Sequence, residues 1–406
     1  MTSLGYRLAV LALLAVTSAC IGTDPLPPLA RQPGIYGDAF AGRLEIEVID
    51  EPTGALMSAN VEVVDATGRV LGGGGDLGVY RFEDTALVPP LSVHVGGIAR
   101  PQAFIGIASS RLVIGVARAG GQRVSGRVVG AETLGASAVV VGALAPISFV
   151  RSDALARGAP VPCVLDGDGC AFRIEDAVEG ADTVVATLHD GAGAAIGFGI
   201  TSLSSAGGVL VLPSVPIPTL SLMLPPTPTP PPGLSAVVGV PGLATASGVV
   251  FLAQTASADS RVVVPALSGF AGDPSWWIVA EARGAAEARS VILQRGLREP
   301  GAVGAWPAWL DVPSASIGAD GRVTLLPSAG ATLHAIDWLA ASGEVVASAL
   351  VVDAAAPIYF APAVGATAIR VRAIDAIDAS PSALSLPAAE RTVTRFAEST
   401  IAVPPR

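Results

Sequence analysis

The stretch Leu44-Glu45-Ile46-Glu47-Val48-Ile49 decides the fold, because apolar and acidic residues alternate along most of it. Successive side chains of a β-strand point to opposite faces, so this alternation predicts a strand with one buried and one wet face. Short valine-rich runs separated by glycine, proline and aspartate turns recur along the chain. No long segment with a period of 3.6 residues competes with them. We therefore expect an all-β protein made of tandem β-sandwich domains.

Turn-rich and proline-rich stretches divide the 406 residues into several segments, as the length also favours. The predicted segments are a signal peptide at 1–19, a tether at 20–40, β-sandwiches at 41–120 and 121–213, a proline-rich linker at 214–233, and β-sandwiches at 234–312 and 313–406. Proline lacks the amide that a sheet requires, so residues 225–232 are expected to form extended polyproline II. We interpret this linker as a semi-rigid joint.

The N-terminus has the pattern of an export signal. Arg7 precedes a nine-residue apolar run, 8–16, which is too short for a membrane-spanning helix but fits the core of a secretory signal. Thr17-Ser18-Ala19-Cys20 follows and resembles the lipobox of bacterial lipoproteins. The resemblance implies that Cys20 becomes the mature N-terminus, with a diacylglyceryl thioether and usually a third acyl chain, such as palmitate, on its amine. Two or more acyl chains hold a protein firmly at a membrane.

The residue after Cys20 bears on where such a lipoprotein would reside. It is Ile21, whereas an aspartate there resembles the signal that retains lipoproteins at the inner membrane of enteric bacteria. We therefore expect lipid anchoring in the bacterial cell envelope, at the outer membrane. The mean hydropathy is +0.60, and residues 191–258 lack any charge, but prolines interrupt every candidate helix there. Buried strands are the favoured interpretation, and lipid contact by part of 191–253 or 133–150 is the alternative.

Charge and cysteine content limit the partners and the chemistry. The net charge is −10 and only 14% of residues are charged, which argues against nucleic acid and against an anionic membrane surface as partners. Beyond Cys20, two cysteines remain, Cys163 and Cys170. In an exported chain this pair favours a disulfide. A metal site would need more ligands than the sequence places nearby, so no cofactor or metal is predicted.

The first sandwich region has a further resemblance. The stretch 49–56, the strand with Val61 and Val63, the turn 65–68 and the run 76–82 with its Tyr80 and Phe82 occur in the order found in transthyretin-like, carboxypeptidase regulatory-like domains. Gly75-Asp76 and Pro90-Leu91 depart from the usual pattern of that family. The resemblance implies a small β-sandwich that serves as a spacer or accessory module. Near the C-terminus, the strand at 368–375 is similar to the penultimate strand of fibronectin-type or immunoglobulin-like sandwiches.

All five tryptophans fall in the C-terminal half of the chain. Exposed indole rings stack on sugars, so Trp277, Trp306 and Trp309 are the candidates for a carbohydrate platform. The alternative is that all of them fill sandwich cores. Trp276 and Trp277 are adjacent, so on a strand they must point to opposite faces.

Other candidate sites are weak. The run 166–169, Asp-Gly-Asp-Gly, superficially resembles the start of a calcium loop, but Cys170 stands where another ligand is required, and turn chemistry explains it. His94, His189 and His334 have no metal-binding spacing. The carboxylates Glu175 and Asp176 are taken as ordinary surface charge. No nucleophile elbow, phosphate loop or dinucleotide fingerprint occurs.

These observations favour a cell-envelope lipoprotein with a structural or protein-interaction role. The chain is not expected to be an enzyme, and no catalytic residue is predicted. The first alternative is a carbohydrate-binding surface lipoprotein that uses the tryptophan-rich half. The second alternative is an exported hydrolase. The expected partners are the membrane, through lipid at Cys20, and an envelope protein or glycan.

Overall fold

The computed structural model describes most of the chain after residue 33. The described ranges are 34–50, 54–73, 75–98, 101–116, 122–143, 161–167, 169–177, 183–202, 208–212, 215–245, 248–252, 261–270, 273–285, 287–318, 322–355, 358, 365–376 and 393–403. The predicted signal peptide, Cys20 and most of the predicted tether lie outside these residues.

Strands make up most of the described structure in the first half of the chain. Those of the first sandwich region are β1 (Gly34–Ala39), β2 (Arg43–Asp50), β3 (Ala55–Leu56), β4 (Asn60–Val64), β5 (Val70–Gly73), β6 (Gly75–Asp76), β7 (Val79–Glu83), β8 (Leu91–Gly96), β9 (Gln102–Ile107) and β10 (Ser109–Val116). β1 lies within the stretch predicted as the tether, but it pairs with β10 and so belongs to this sandwich. Those of the second are β11 (Gln122–Val129), β12 (Ala138–Ala143), β13 (Val161–Asp166), β14 (Gly169–Ala177), β15 (Thr183–His189), β16 (Ala195–Ser202) and β17 (Gly208–Val211).

The second half has the same character. Its strands are β18 (Thr219–Met223), β19 (Leu234–Thr245), β20 (Gly248–Phe251), β21 (Arg261–Pro265), β22 (Ser275–Gly284), β23 (Arg289–Leu297), β24 (Ser314–Ile317), β25 (Val323–Leu326), β26 (Leu333–Leu339), β27 (Val345–Val351), β28 (Ala368–Ala376) and β29 (Val393–Ala402). Short 3₁₀ turns occur at Glu132–Leu134, Leu267–Gly269 and Pro300–Ala302. The predicted all-β fold is confirmed.

The first sandwich pairs a small sheet with one end of a much larger one. The small sheet has the order β1-β10-β2-β7-β6, with β3 paired to β2. Leu44, Ile46 and Val48 point inward and are fully buried. Glu45 points outward and forms an ion pair of 2.9 Å with Arg81. The alternation along β2 therefore sets the inner face as predicted, but Glu47 and Ile49 on the other face are buried as well.

The second unit is a seven-stranded sheet of order β16-β15-β12-β13-β14-β11-β17, with a core on its inner face. Strand β13 pairs with β12 near Cys163 and with β14 near Leu165, so it connects the two parts of this sheet. Cys163 and Cys170 are both buried in the core and form a disulfide, which confirms the predicted pairing. The side chains of Val185 and Phe198 do not belong to this core. They pack instead in the core of the third sandwich region, with residues such as Leu222.

A twelve-stranded sheet joins the first sandwich region to both C-terminal ones. Its order is β20-β19-β22-β23-β29-β28-β26-β27-β9-β8-β4-β5. Two junctions make it continuous. Strand β27 runs parallel to β9, with Ala349 opposite Ala103, and β29 runs antiparallel to β23, with Glu398 opposite Arg289. The strands predicted for 41–120, 234–312 and 313–406 therefore share one hydrogen-bonded sheet.

A row of buried charges crosses five neighbouring strands of the shared sheet. Arg289 lies 3.3 Å from Glu281 and 2.6 Å from Glu398, and Arg372 lies 3.9 Å from Glu398 while it donates to Asp337. The four residues other than Arg289 are at most 5% exposed. Each charge has an opposite charge beside it, which is the arrangement that makes burial of ions tolerable.

Two small sheets pack over the opposite face of the shared sheet. The β18–β21 pair belongs to a core with Trp276, and the β24–β25 pair contributes to a core with Trp338. Phe198, Leu222 and Leu243, from the uncharged stretch 191–258, are fully buried, as expected of interior strands. Among the described residues, no helix has the length and apolar character that a membrane crossing requires.

Candidate functional site: a tryptophan groove and an exposed sheet face

The structure places all five tryptophans in the interior. Their exposed fractions are 1% for Trp276, 7% for Trp277, 8% for Trp306, 9% for Trp309 and 0% for Trp338. The interpretation of Trp277, Trp306 and Trp309 as an open platform for sugars does not match this burial, because stacking requires a free ring face. Trp277 packs in an apolar cluster, and its ring has the guanidinium of Arg295 at 5.3 Å from its centre. Burial lowers the pKa of Arg295 to about 10.

Trp306 and Trp309 hold a proline-rich segment of the chain. We call residues 224–232 the proline strap, and the surface formed by these two rings the tryptophan groove. The indole N–H of Trp306 donates a hydrogen bond of 2.9 Å to the carbonyl of Pro225, and that of Trp309 donates one of 2.8 Å to the carbonyl of Pro228. The two indole donors are three residues apart in the sequence, and so are the two carbonyl acceptors.

Burial along the strap has a period of three residues. Pro226, Thr229 and Pro232 are exposed, whereas Pro225 and Pro228 are half-buried and Pro231 is buried. Polyproline II has three residues per turn, so one side of such a helix is presented every third residue. The strap therefore lies along the groove with one side inward. In the structure, the segment that we predicted to be a joint packs against the core of the third sandwich region through Leu224.

The second unit exposes valines on the outer face of its sheet. Val164 is 81% exposed, Val209 58% and Val211 68%. Neighbouring strands place Val164, Ala171, Arg127 and Val209 in one row across β13, β14, β11 and β17. We call this surface the valine face. Side chains alternate between the two faces along each strand, so Cys170 and Leu210 point to the core on the other side.

Arginines accompany the valines on this face. Arg123 and Arg173 are exposed and Arg127 is half-buried. The Arg127 guanidinium donates a hydrogen bond of 3.3 Å to the carbonyl of Asp166. Because the whole chain is acidic, with a net charge of −10, a sheet face with three arginines differs from the chain average. The valine face thus combines exposed valines with arginines.

The other predicted candidates do not come together. His94, His189 and His334 lie on β8, β15 and β26. Burial lowers the pKa of His94 and His334. His334 accepts a hydrogen bond of 3.2 Å from the amide of Ser328 at its Nε2, which is a structural role. Among the residues that the structure describes, no group of three or more His, Cys, Asp or Glu is placed to hold a metal ion.

Two acidic candidates from the sequence lie partly outside the residues that the structure describes. Asp166 ends β13 and is exposed, whereas Asp168 lies outside the described residues. Glu175 and Asp176 belong to β14, but their side chains are not described. The valine face has no clear signal in the sequence. The run Val209-Leu210-Val211-Leu212 is apolar at every position, so its pattern could not indicate that two of these side chains face solvent.

Comparison with known proteins assigns no family to this chain. No protein-family profile matches the chain, and no curated protein matches it. Among solved structures, the chain is similar to the N-terminal four Ig domains of Dscam1 isoform 4.4, with a TM-score of 0.17 and 7% identity over 92% of this chain and 98% of that chain. For isoform 8.4 the TM-score is 0.15, with 7% identity over 92% and 97%. TM-scores this low support no argument, so the fold assignment rests on the strands described above.

Proposed function

We propose that this protein is an exported lipoprotein of the cell envelope that acts as a protein-interaction scaffold, with the valine face as its contact surface. The single observation that supports the interaction role is the exposure of Val164 on β13 and of Val209 and Val211 on β17, on one face of the same sheet. Apolar residues clustered at a surface and edged by polar ones are typical of a protein contact. Arginine is also enriched at such contacts, because its flat group both stacks and donates several hydrogen bonds.

The continuous architecture suits a scaffold. Strand pairing joins the first sandwich region to the two C-terminal ones, and Val185 and Phe198 pack the second unit into the core of the third region. A surface held in this way keeps its position when a partner binds, so little ordering cost opposes association. The outer membrane is the proposed location, on the basis of the lipobox-like residues before Cys20 and of Ile21 after it.

The lipid anchor is tested by fractionation of cells that express the wild type or the Cys20→Ser variant. We expect the wild type in the membrane pellet and the variant in the soluble fraction, because the thioether cannot form without the thiol. A variant that stays in the pellet would contradict the anchor.

The contact surface is tested by photo-cross-linking in intact cells. A photoreactive residue at Val164 or Val209 should give a discrete protein adduct. The matched control is Leu77, which is 78% exposed but lies between β6 and β7 of the first sandwich region. In addition, Val209→Thr with Val211→Thr keeps the branched shape that suits a strand and removes apolar surface, so the adduct from Val164 should weaken. Equal adducts at Val164 and Leu77 would overturn the assignment.

A further inference from the structure

We propose that the tryptophan groove is a binding site for proline-rich peptides, that the proline strap occupies it within each molecule, and that residues 26–33 of a second copy of this chain compete for it. This inference does not depend on the lipid anchor or on the valine face. It depends on the fit between strap and groove and on a sequence match elsewhere in the chain.

The groove has the features that recognise polyproline II. Trp306 and Trp309 supply two aromatic rings and two N–H donors, and the accepting carbonyls of Pro225 and Pro228 are one polyproline turn apart. Aromatic grooves bind proline-rich peptides in this way because the ligand is already extended and loses little entropy. The hydrogen bonds go to backbone carbonyls, so another peptide of the same shape can form them.

A second segment of the chain repeats three of the inward-facing residues of the strap. Leu-Pro-Pro occurs at 224–226 and again at 26–28. When these are aligned, Pro33 falls on Pro231, the buried proline of the strap. Leu26 falls on Leu224, whose side chain packs against the core beneath. The match therefore includes Leu224, Pro225 and Pro231, whereas Ala30 falls on Pro228 and Arg31 on the exposed Thr229. At the Pro228 position the groove bonds to the backbone carbonyl, which alanine also supplies.

We assign the competing segment to another molecule. Pro33 is followed directly by Gly34, which begins β1 and lies opposite Val113 in the first sandwich region. To place Pro33 where Pro231 lies, Gly34 would have to sit beside the strap, because consecutive Cα atoms are about 3.8 Å apart. In the structure, however, Ile35 of β1 packs in the core of the first sandwich region, whereas Trp306 and Trp309 belong to the core of the third. In a second copy, β1 can keep its place in its own sheet, because that whole copy can approach the groove with its Gly34 beside the strap.

The strap competes with any external peptide. It belongs to the same folded chain as the groove, so its binding is intramolecular and its effective concentration exceeds that of a dilute peptide. A peptide in solution therefore binds weakly to the wild type and more tightly when the strap is weakened. This difference is the signature of a groove that has an internal ligand.

The first experiment titrates a synthetic peptide of residues 24–33 into the full chain and follows tryptophan fluorescence. In a strap variant, Leu224→Ser with Pro225→Gly and Pro228→Gly, we expect the peptide to bind at least about tenfold more tightly than it binds the wild type. Replacement of Leu26 by serine and Pro27 by glycine in the peptide should abolish that gain. Trp306→Phe in the strap variant removes one donor and should weaken binding about fivefold. A folded strap variant with no gain in affinity would overturn the proposal.

A second experiment keeps the strap intact, so it decides the matter even if the strap variant fails to fold. One full-length copy has Ala30→Cys and another has Ala308→Cys, the exposed position between the two tryptophans. Mixed under mild oxidation, these copies should form a disulfide-linked pair. The control partner has Ala192→Cys, which is exposed in the second unit. Absence of the pair, or equal pairing with the control, refutes exchange between copies.

Discussion

The guanidinium Nε of Arg289 lies 2.6 Å from the carboxylate of Glu398, and the two residues face each other across the junction of β23 and β29. This junction joins the strands predicted for the third sandwich to those predicted for the fourth. Glu398 is 5% exposed, and Arg289 also contacts Glu281 at 3.3 Å. The pair therefore belongs to the row of buried charges that crosses the shared sheet.

Loss of one member of this pair should destabilise the protein strongly. In Glu398→Gln, Arg289 remains beside the core without its main counter-charge, and we expect the free energy of unfolding to fall by about 3 kcal/mol. Urea denaturation followed by tryptophan fluorescence measures this. The matched control is Asp273→Asn in the exposed Arg298–Asp273 pair, where at most about 1 kcal/mol should be lost. Equal losses in the two variants would show that the pair at the junction contributes no more to stability than an exposed pair.

Gly106 allows a close approach of the backbone at the other junction of the shared sheet, between β9 and β27. A Cβ built on Gly106 would lie 2.5 Å from the backbone nitrogen of Asp353, and the φ angle of Gly106 is +87°. Gly106→Ala should therefore cost at least about 3 kcal/mol, from an unfavourable backbone conformation and from overpacking. Gly193, with φ of +80° and no atom within 4 Å of such a Cβ, is the control. Gly193→Ala should cost about 1 kcal/mol, and a similar cost at Gly106 would contradict a close junction.

His334 should make the stability depend on pH in mild acid. Burial lowers its pKa below the usual 6.5, so the unfolded chain binds more protons than the folded one as the pH falls below that value. The stability contributed by neutral His334 is therefore complete above about pH 7 and is lost as the pH falls toward its folded pKa. Protonation would also remove the lone pair that accepts the Ser328 amide.

The test compares the wild type with His334→Gln at pH 7.5, 6.5 and 5.5. Glutamine retains an acceptor but does not titrate, so the difference in unfolding free energy between the two proteins should shrink as the pH falls. His94, whose pKa burial also lowers, is unchanged in both proteins and cancels in the comparison. A difference that is constant across this range would show that His334 does not titrate on unfolding.

Local pattern predicted some features and could not predict others. The burial of Leu44, Ile46 and Val48 follows from the sequence, because the period of two is visible in adjacent residues. The shared sheet was not predicted, since β9 and β27 pair across more than two hundred residues and no local period encodes that choice. The strap–groove contact had a sequence signal, because Pro225 and Pro228 have the same spacing as Trp306 and Trp309. Only the structure brings those two spacings together.

The disulfide between Cys163 and Cys170 should stabilise the second unit by a modest amount. The cysteines are seven residues apart, so the closed loop is short and the loss of unfolded-state entropy corresponds to about 2.5 kcal/mol. Cys163→Ala with Cys170→Ala should lower the free energy of unfolding by about that much, and dithiothreitol should lower that of the wild type comparably. The reductant should leave the double variant unchanged, which separates bond loss from other effects. If wild-type stability is equal with and without the reductant, the bond contributes nothing.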